Sequence, residues 1–330
     1  MKERIMRAVL FGDSGLSMIK KPIPKINQRE VLVKVKMVGI CNTDIELIKG
    51  YYGFKGVAGH EFVGIIEQSP QKPEIIGKRI VGDINRGCGA CVWCMRGDGR
   101  HCPARQIVGI AGWDGAFAEY MKLPLINVRI VDDNIPDECA VFSEPLAAAL
   151  EISQQIHITN NQRVIVLGDG KLGLLIALGL RHFNHRLILV GKHKEKLRIA
   201  AEHNIGTICI GAPYDFENIA RKEGLFDIVI EATGKAEGIN DALKIVRPEG
   251  IIVAKTTSRD FSKIDMAKAV VDEISIIGSR CGDIDLALSF LRNKLVDPMP
   301  LIDSIYPFEK FSEAFERAVT PGAKKVLVRF

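Results

Sequence analysis

The sequence predicts an α/β chain of two domains, one β-rich and one built on a doubly wound parallel sheet of six strands. Three observations predict it. Residues 1–142 read as short β-like stretches cut by Gly and Pro; from about residue 144 short, continuous apolar runs alternate with helical segments; the last fifty or so residues turn irregular again. With 330 residues, 47% of them hydrophobic and 26% charged, the chain can bury two cores and is not a disordered, collagen-like or disulfide-stapled chain. A net charge of +5 is too small to imply a nucleic acid or membrane partner.

In the first domain, residues 31–38, 62–67 and 79–81 are the clearest strands. In the second, apolar runs at 164–167, 187–190, 207–210, 228–230, 251–253 and 274–277 have the length and flanking turn residues of strands buried on both faces. Helical segments at 146–155, 172–183, 194–202, 216–223 and 239–246 fill the gaps, as crossover connections require. Beyond residue 277 the pattern is irregular, with a Pro-rich break at 297–300, a helix at 309–319 and a strand at 325–329. Too short for a core of its own, this tail is expected to rejoin the first domain, giving boundaries of 1–142, 143–279 and 280–330.

The N-terminal residues carry Lys2, Glu3, Arg4 and Arg7 and lack the apolar stretch of a secretory signal, and the longest apolar run, 172–180, is too short for a membrane span. A cytoplasmic protein is expected. In a reducing compartment the eight cysteines read as metal ligands, nucleophiles or core residues rather than disulfides.

Four of them form Cys88-x2-Cys91-x2-Cys94-x7-Cys102 in the glycine-rich loop 86–103. Zn(II) needs four soft donors at tetrahedral corners, and four thiolates leave no open position, so the spacing predicts a structural zinc site. An iron–sulfur cluster, four unrelated cysteines, or a zinc ribbon for nucleic acid are the alternatives; for the last, only Arg96, Arg100, His101 and Trp93 are available.

A second motif, Gly168-x-Gly170-x-x-Gly173, follows a strand and opens a helix that begins with Lys171 and Leu172. Gly168 makes the tight turn, Gly170 admits a pyrophosphate, and Gly173 lets helix and strand pack closely, which predicts dinucleotide binding. An acidic residue at the end of the next strand would hold a ribose 2'-hydroxyl. Gly191 stands there, followed by Lys192, His193 and Lys194, so NADP(H) is favoured over NAD(H); a basic, solvated helix start is the alternative.

A third, dispersed set comprises Gly39-Ile-Cys41-Asn-Thr43-Asp44, Gly59-His60-Glu61 and Ser143-Glu144-Pro145. Singly these are unremarkable: a core cysteine, a hydrogen-bonded histidine, a helix start. In this order, with the four-cysteine loop and the glycine turn, they resemble the zinc-dependent alcohol dehydrogenases of the medium-chain dehydrogenase/reductase superfamily, over essentially the whole chain. The resemblance implies a GroES-like catalytic domain completed by the tail, an inserted Rossmann domain, and two zinc ions per chain.

It further implies that Cys41, His60 and Glu144 hold a catalytic zinc, in the manner of the polyol, glucose and threonine dehydrogenases rather than of the Cys2His members. Glu61 would approach the metal or exchange with water, and Asp44 would orient His60 or serve as a cap. A substrate alcohol would lose its proton through Thr43 and its hydride to the nicotinamide. Simple members have a histidine five positions after the cysteine ligand; here that place is Glu46, a proton relay or a solvated helix residue. Lys325 is the candidate for the cofactor pyrophosphate and Arg280 for the backbone beside the carboxamide.

Asn85, Arg86, Trp113, Asp114 and the turn 255–258 are the candidate pocket, and their character favours a small polar alcohol or its carbonyl product as substrate. The resemblance also implies a homodimer or homotetramer, with residues 273–278 as the pairing edge. An NAD-dependent threonine or sorbitol type of dehydrogenase is the rival within the class. A non-catalytic NADP(H)-binding sensor or structural protein is the rival outside it, and would be free to lose Cys41, Thr43, His60 and Glu144, all of which this chain retains.

Overall fold

The computed structural model describes residues 4–12, 15–211, 216–257 and 261–330; Lys2, Glu3 and Ser258 lie outside the described residues. The chain divides into two compact units, Met1–Glu144 together with Ile284–Phe330, and Pro145–Asp283.

The first unit is organised by the strand Glu30–Gly39, whose Val-rich run is buried along nearly its whole length. It lies in a seven-stranded sheet ordered Val128–Ile130, Arg79–Gly82, Glu61–Gln68, Glu30–Gly39, Lys325–Arg329, Ile302–Pro307, with Tyr120–Pro124 also paired to it. Register sets Gly39 opposite Glu61 on one side and opposite Leu327 on the other. The chain's last strand is thereby placed beside one of its first.

The tail is more regular than its sequence pattern suggested. Residues 284–301 contain a helix, Ile284–Arg292, whose Ile284, Ala287, Leu288 and Leu291 form a buried stripe at helical spacing. Ile302–Pro307 is a strand, parallel to Lys325–Arg329, with the helix Phe311–Val319 as the crossover between them. Aromatic packing seats this element on the N-terminal part of the unit: Phe311 meets Phe117 edge-on with centroids 4.7 Å apart, and Phe315 meets Phe11 at 6.1 Å.

The second unit is an all-parallel six-stranded sheet in the order Gly206–Cys209, Ile188–Gly191, Val164–Leu167, Phe226–Glu231, Val246–Ala254, Ser275–Gly278. In chain order this is 3-2-1-4-5-6, which reverses direction beside Val164–Leu167 and opens a crevice at the carboxyl ends of the strands. Val164, Ile165, Val166 and Leu167 are wholly buried, as a strand covered on both faces must be. The helix Lys171–Leu180 is buried from Gly173 to Leu180, which explains its apolar composition all round. No described helix is long and apolar enough to cross a membrane.

The glycine turn shows how close the packing is. A Cβ on Gly173 would run into the Gly168 carbonyl oxygen, and one on Gly168, at φ +111°, would lie 2.5 Å from the Ala232 carbonyl oxygen. Backbone cannot move aside as a side-chain end can, so helix and strand would have to separate. Gly173→Ala is therefore expected to destabilise the second unit by about 2–3 kcal/mol, roughly 5–10 °C in its thermal transition; an unchanged transition would contradict the packing described.

Candidate metal centres and dinucleotide turn

Cys41, His60 and Glu61 come together although the chain separates Cys41 from His60 by nearly twenty residues: one ligand atom from each lies within 4.8 Å of the others. Cys41 follows the buried strand by two residues and is the N-cap of the helix Asn42–Ile48, while His60 immediately precedes the neighbouring strand that Glu61 opens. Gly59, at φ +93°, makes the turn into them under the Phe117 ring, where a side chain would not fit.

Asp44 has both of the roles open to it. Its Oδ2 accepts the Cys41 backbone N–H at 2.8 Å, capping the helix, and its Oδ1 lies 3.4 Å from His60 Nδ1. Both atoms of this second pair are fully buried and lack a well-formed hydrogen bond. Turned this way, the ring leaves Nε2 as its nitrogen for a metal. Burial opposes the charge on His60, but Asp44 and Cys41 outweigh it and hold the imidazole pKa well above its usual range.

Glu61 is bound from the far end of the chain. Lys325 Nζ donates to both its carboxylate oxygens, at 2.6 Å to Oε1, with side-chain exposures of 2% and 1%. Gly39 lies between the two strands that carry them, and a Cβ there would meet Glu61 Oε2, Val141 and the Lys325 stem, so the pair exists only because position 39 has no side chain. Burial lowers the Lys325 pKa and Glu61 raises it, with the net shift upward. Lys325, expected at the cofactor pyrophosphate, has its ammonium buried and bound to Glu61.

Glu144 is not within the set that brings Cys41, His60 and Glu61 into ligand range. It is the second residue of the helix Ser143–Gln155, and its carboxyl is pushed up to about 7, chiefly by burial and further by the Glu61 charge, against lowering by His60 and Lys325. Thr43 lies in the first turn of its helix, its Oγ1 3.7 Å from Cys41 Sγ. The Glu46 carboxylate pairs with Lys49 Nζ at 2.8 Å on the partly exposed side of the helix.

The second cluster is Cys88, Cys91, Cys94 and Cys102, again with ligand atoms within 4.8 Å. Its Sγ–Sγ separations, 3.6 Å for Cys91–Cys94 and 4.0 Å for Cys88–Cys94, bracket the edge of a tetrahedron with ~2.3 Å metal–sulfur bonds, roughly 3.8 Å. All eight cysteines of the chain are free thiols. Backbone donation from Ala90 and Cys91 draws the Cys88 thiol down to about 6. Gly89 lowers Cys94 in the same way, but burial and the neighbouring thiols prevail and push it up to about 11. Backbone donation from Cys94 lowers Cys91 as well, so two of the four thiols are drawn toward the thiolate that a zinc ion binds.

In the second unit Gly170 is the N-cap of Lys171–Leu180, Lys171 and Leu172 are its first residues, and the space before Gly170 is open, as a pyrophosphate at the helix N-terminus requires. The end of the second strand differs from expectation. Gly191 is followed by exposed Lys192 and Lys194, but a carboxylate does reach this place: Asp169, between the first two glycines, accepts the backbone N–H groups of Lys192 at 2.9 Å and His193 at 2.7 Å and holds His193 Nδ1 at 3.0 Å. The sequence reading missed it because the pattern leaves that position unspecified. The Arg280 carbonyl accepts from Lys255 Nζ at 3.0 Å.

The expected pocket residues are largely engaged in structure. The Arg86 guanidinium stacks 4.5 Å from the Trp113 ring centre, Asp114 takes Lys21 Nζ at 2.6 Å and the Val57 N–H at 3.0 Å, and Asn85 is buried against Asp83. Lys255, expected in a pocket turn, is buried and donates to the Ala148 and Arg280 carbonyls and to Ser279.

Residues 27–132 match the alcohol dehydrogenase GroES-like domain, and residues 139–329, more than half the chain, match the glucose dehydrogenase C-terminus. D-arabinitol dehydrogenase 1 of Uromyces fabae is 27% identical, covering 95% of this chain and 93% of that protein; an L-threonine 3-dehydrogenase of Streptomyces avermitilis is 29% identical over 96% of each. Among solved structures, a short chain alcohol dehydrogenase from E. coli CFT073 in complex with NADH superimposes with a TM-score of 0.91 at 27% identity over 99% of both chains. With the two donor clusters and the glycine turn carried in one chain, these matches make it a member of the zinc-dependent alcohol dehydrogenase family of the medium-chain dehydrogenase/reductase superfamily, an oxidoreductase acting on CH–OH donors.

Proposed function

We propose that the protein oxidises a small, polar secondary or primary alcohol, of polyol or amino-alcohol type, with a nicotinamide dinucleotide, and reduces the corresponding carbonyl in reverse. The observation that carries this reading is the convergence of Cys41, His60 and Glu61 beside Thr43. Relatives named for D-arabinitol, L-threonine and sorbitol support a polar substrate. The Rossmann-type second unit would hold the dinucleotide and the first unit, completed by the tail, would carry the chemistry.

Cys41 and His60 would hold a catalytic zinc, with Glu144 and Glu61 as the carboxylates available to complete its shell, and Cys88, Cys91, Cys94 and Cys102 would hold a structural one. Zinc, when bound, withdraws electron density from a substrate oxygen, and the nicotinamide exchanges hydride. Thr43 would accept the hydroxyl proton of the alcohol and pass it outward. Asp44 would fix the His60 ring, and Lys325 would hold the Glu61 carboxylate in place. We place the protein in the cytoplasm, where thiolate clusters of this kind stay reduced, and as a homodimer or homotetramer through the exposed edge strand Ser275–Gly278.

Three measurements test these assignments. In a screen of polyols and amino alcohols, Thr43→Val is expected to lower kcat by about 10²–10⁴-fold with both zincs retained; an unaffected kcat would remove Thr43 from the proton path. Elemental analysis should give two zincs per chain, and Cys94→Ser should cost one of them together with loop stability, whereas retention of both would refute the four-thiolate site. Lys325→Met should destabilise the protein by about 3–5 kcal/mol in urea unfolding by leaving Glu61 buried and unpaired, and Glu61→Gln on that background should recover part of the loss. Equal losses in single and double variants would mean the pair contributes nothing through charge.

A further inference from the structure

We infer that Asp169 selects the dinucleotide: its carboxylate, delivered from the glycine turn to the end of the second strand, makes the protein NAD(H)-preferring and disfavours a 2'-phosphate. The inference deepens the proposed function and rests on the second unit being a nicotinamide dinucleotide domain.

Three features place the carboxylate at the ribose end of the site. Asp169 is 5% exposed, yet its Oδ2 takes the backbone N–H groups of Lys192 and His193, the two residues that follow the strand Ile188–Gly191. His193 Nδ1 is shared between the two oxygens, 3.0 Å from Oδ2 and 3.2 Å from Oδ1. A Cβ on Gly191 would collide with Asp169 Cβ, Cγ and Oδ2. Position 191 is where an acidic residue would read the ribose, so the missing side chain and the carboxylate occupy one space. The acid is present, supplied by a different segment.

The consequences for the two dinucleotides differ in sign. A 2'-phosphate would look for the N–H groups at the approach to the helix Lys194–Ala201 and for nearby cations. Both N–H groups already serve Asp169, the His193 ring is bound to the same carboxylate, and the phosphate would meet a negative charge. Exposed Lys192 and Lys194 remain as counter-charges, free to move in solvent and therefore weak. An unphosphorylated ribose brings hydroxyl donors instead. Oδ1 has only a shared contact with His193 and retains acceptor capacity for one.

The test is a pair of binding titrations by nicotinamide fluorescence, NADH against NADPH at one ionic strength, on the wild-type protein and on Asp169→Asn and Asp169→Ser. NADH is expected to bind wild type at least tenfold more tightly, and the ratio of the two Kd values to shrink at least tenfold in both variants. A purely structural clamp would weaken both dinucleotides together and leave the ratio unchanged, which would overturn the inference, as would a wild-type preference for NADPH. Should the variants fold poorly, competition on wild type decides: 5'-ADP should displace NADH at least tenfold more effectively than 2',5'-ADP, and the reverse order overturns the inference. If neither NADH nor NADPH binds wild type, the dinucleotide reading of this unit falls, and the inference with it.

Discussion

The ion pair between Glu61 and Lys325 is the constraint around which the first unit is arranged. Its partners are 264 residues apart and almost completely buried. A buried pair of this kind is costly to desolvate and costlier to break, so the residues around it have little freedom. Gly39 must lack a side chain, the strand Lys325–Arg329 must lie beside Glu30–Gly39, and the crossover helix Phe311–Val319 must seat its aromatic face on Phe117 and Phe11 to hold that strand there. The same register brings Glu61 and His60 next to Cys41. The tail is thus what fixes a carboxylate beside the metal donors, and it is reasonable that the chain returns to complete this unit after building the other.

The second unit is governed by close backbone approach rather than by buried charge. Gly168 and Gly173 let the first strand, its turn and its helix meet without a Cβ between them, and Gly191 leaves room for Asp169. One turn therefore has two tasks: its glycines clear the place for a pyrophosphate, and its single side chain crosses to the neighbouring strand. The strands beneath are buried apolar runs that any doubly wound sheet could have.

What the sequence made legible followed from local spacing. The cysteine loop, the glycine turn and the six apolar runs each lie within a short window, and the strands and helices fall within a few residues of where their patterns put them. The helix Ile284–Arg292 was equally legible, since Ile284, Ala287, Leu288 and Leu291 carry a helical period, but the Pro-rich break after it obscured the segment. What spacing could not carry was charge pairing across the fold. Lys325 reads as a free basic residue until the sheet sets it against Glu61, and the absence of an acid at Gly191 reads as a carboxylate-free site until Asp169 is seen to fill it. In both cases the one-dimensional signal named the right neighbourhood and missed the partner that the fold brings to it.

The charges of the first unit's centre give a reason for a divalent cation there that does not depend on kinship. Asp44 and Glu61 lie against Cys41 and His60, Lys325 is the counter-charge bound to Glu61, and the buried Glu144 carboxyl interacts with the His60, Glu61 and Lys325 charges. Without a metal, negative charge exceeds positive in a place with little water. The two groups best able to relieve the excess, His60 and Glu144, are both shifted toward holding a proton: His60 by Asp44 and Cys41 against its own burial, Glu144 by burial and by Glu61. A cation of charge two would remove the reason for both protons at once, and metal binding at such a donor set releases protons. Asp44 and Lys325 would then be left as the fixed charges that orient His60 and Glu61.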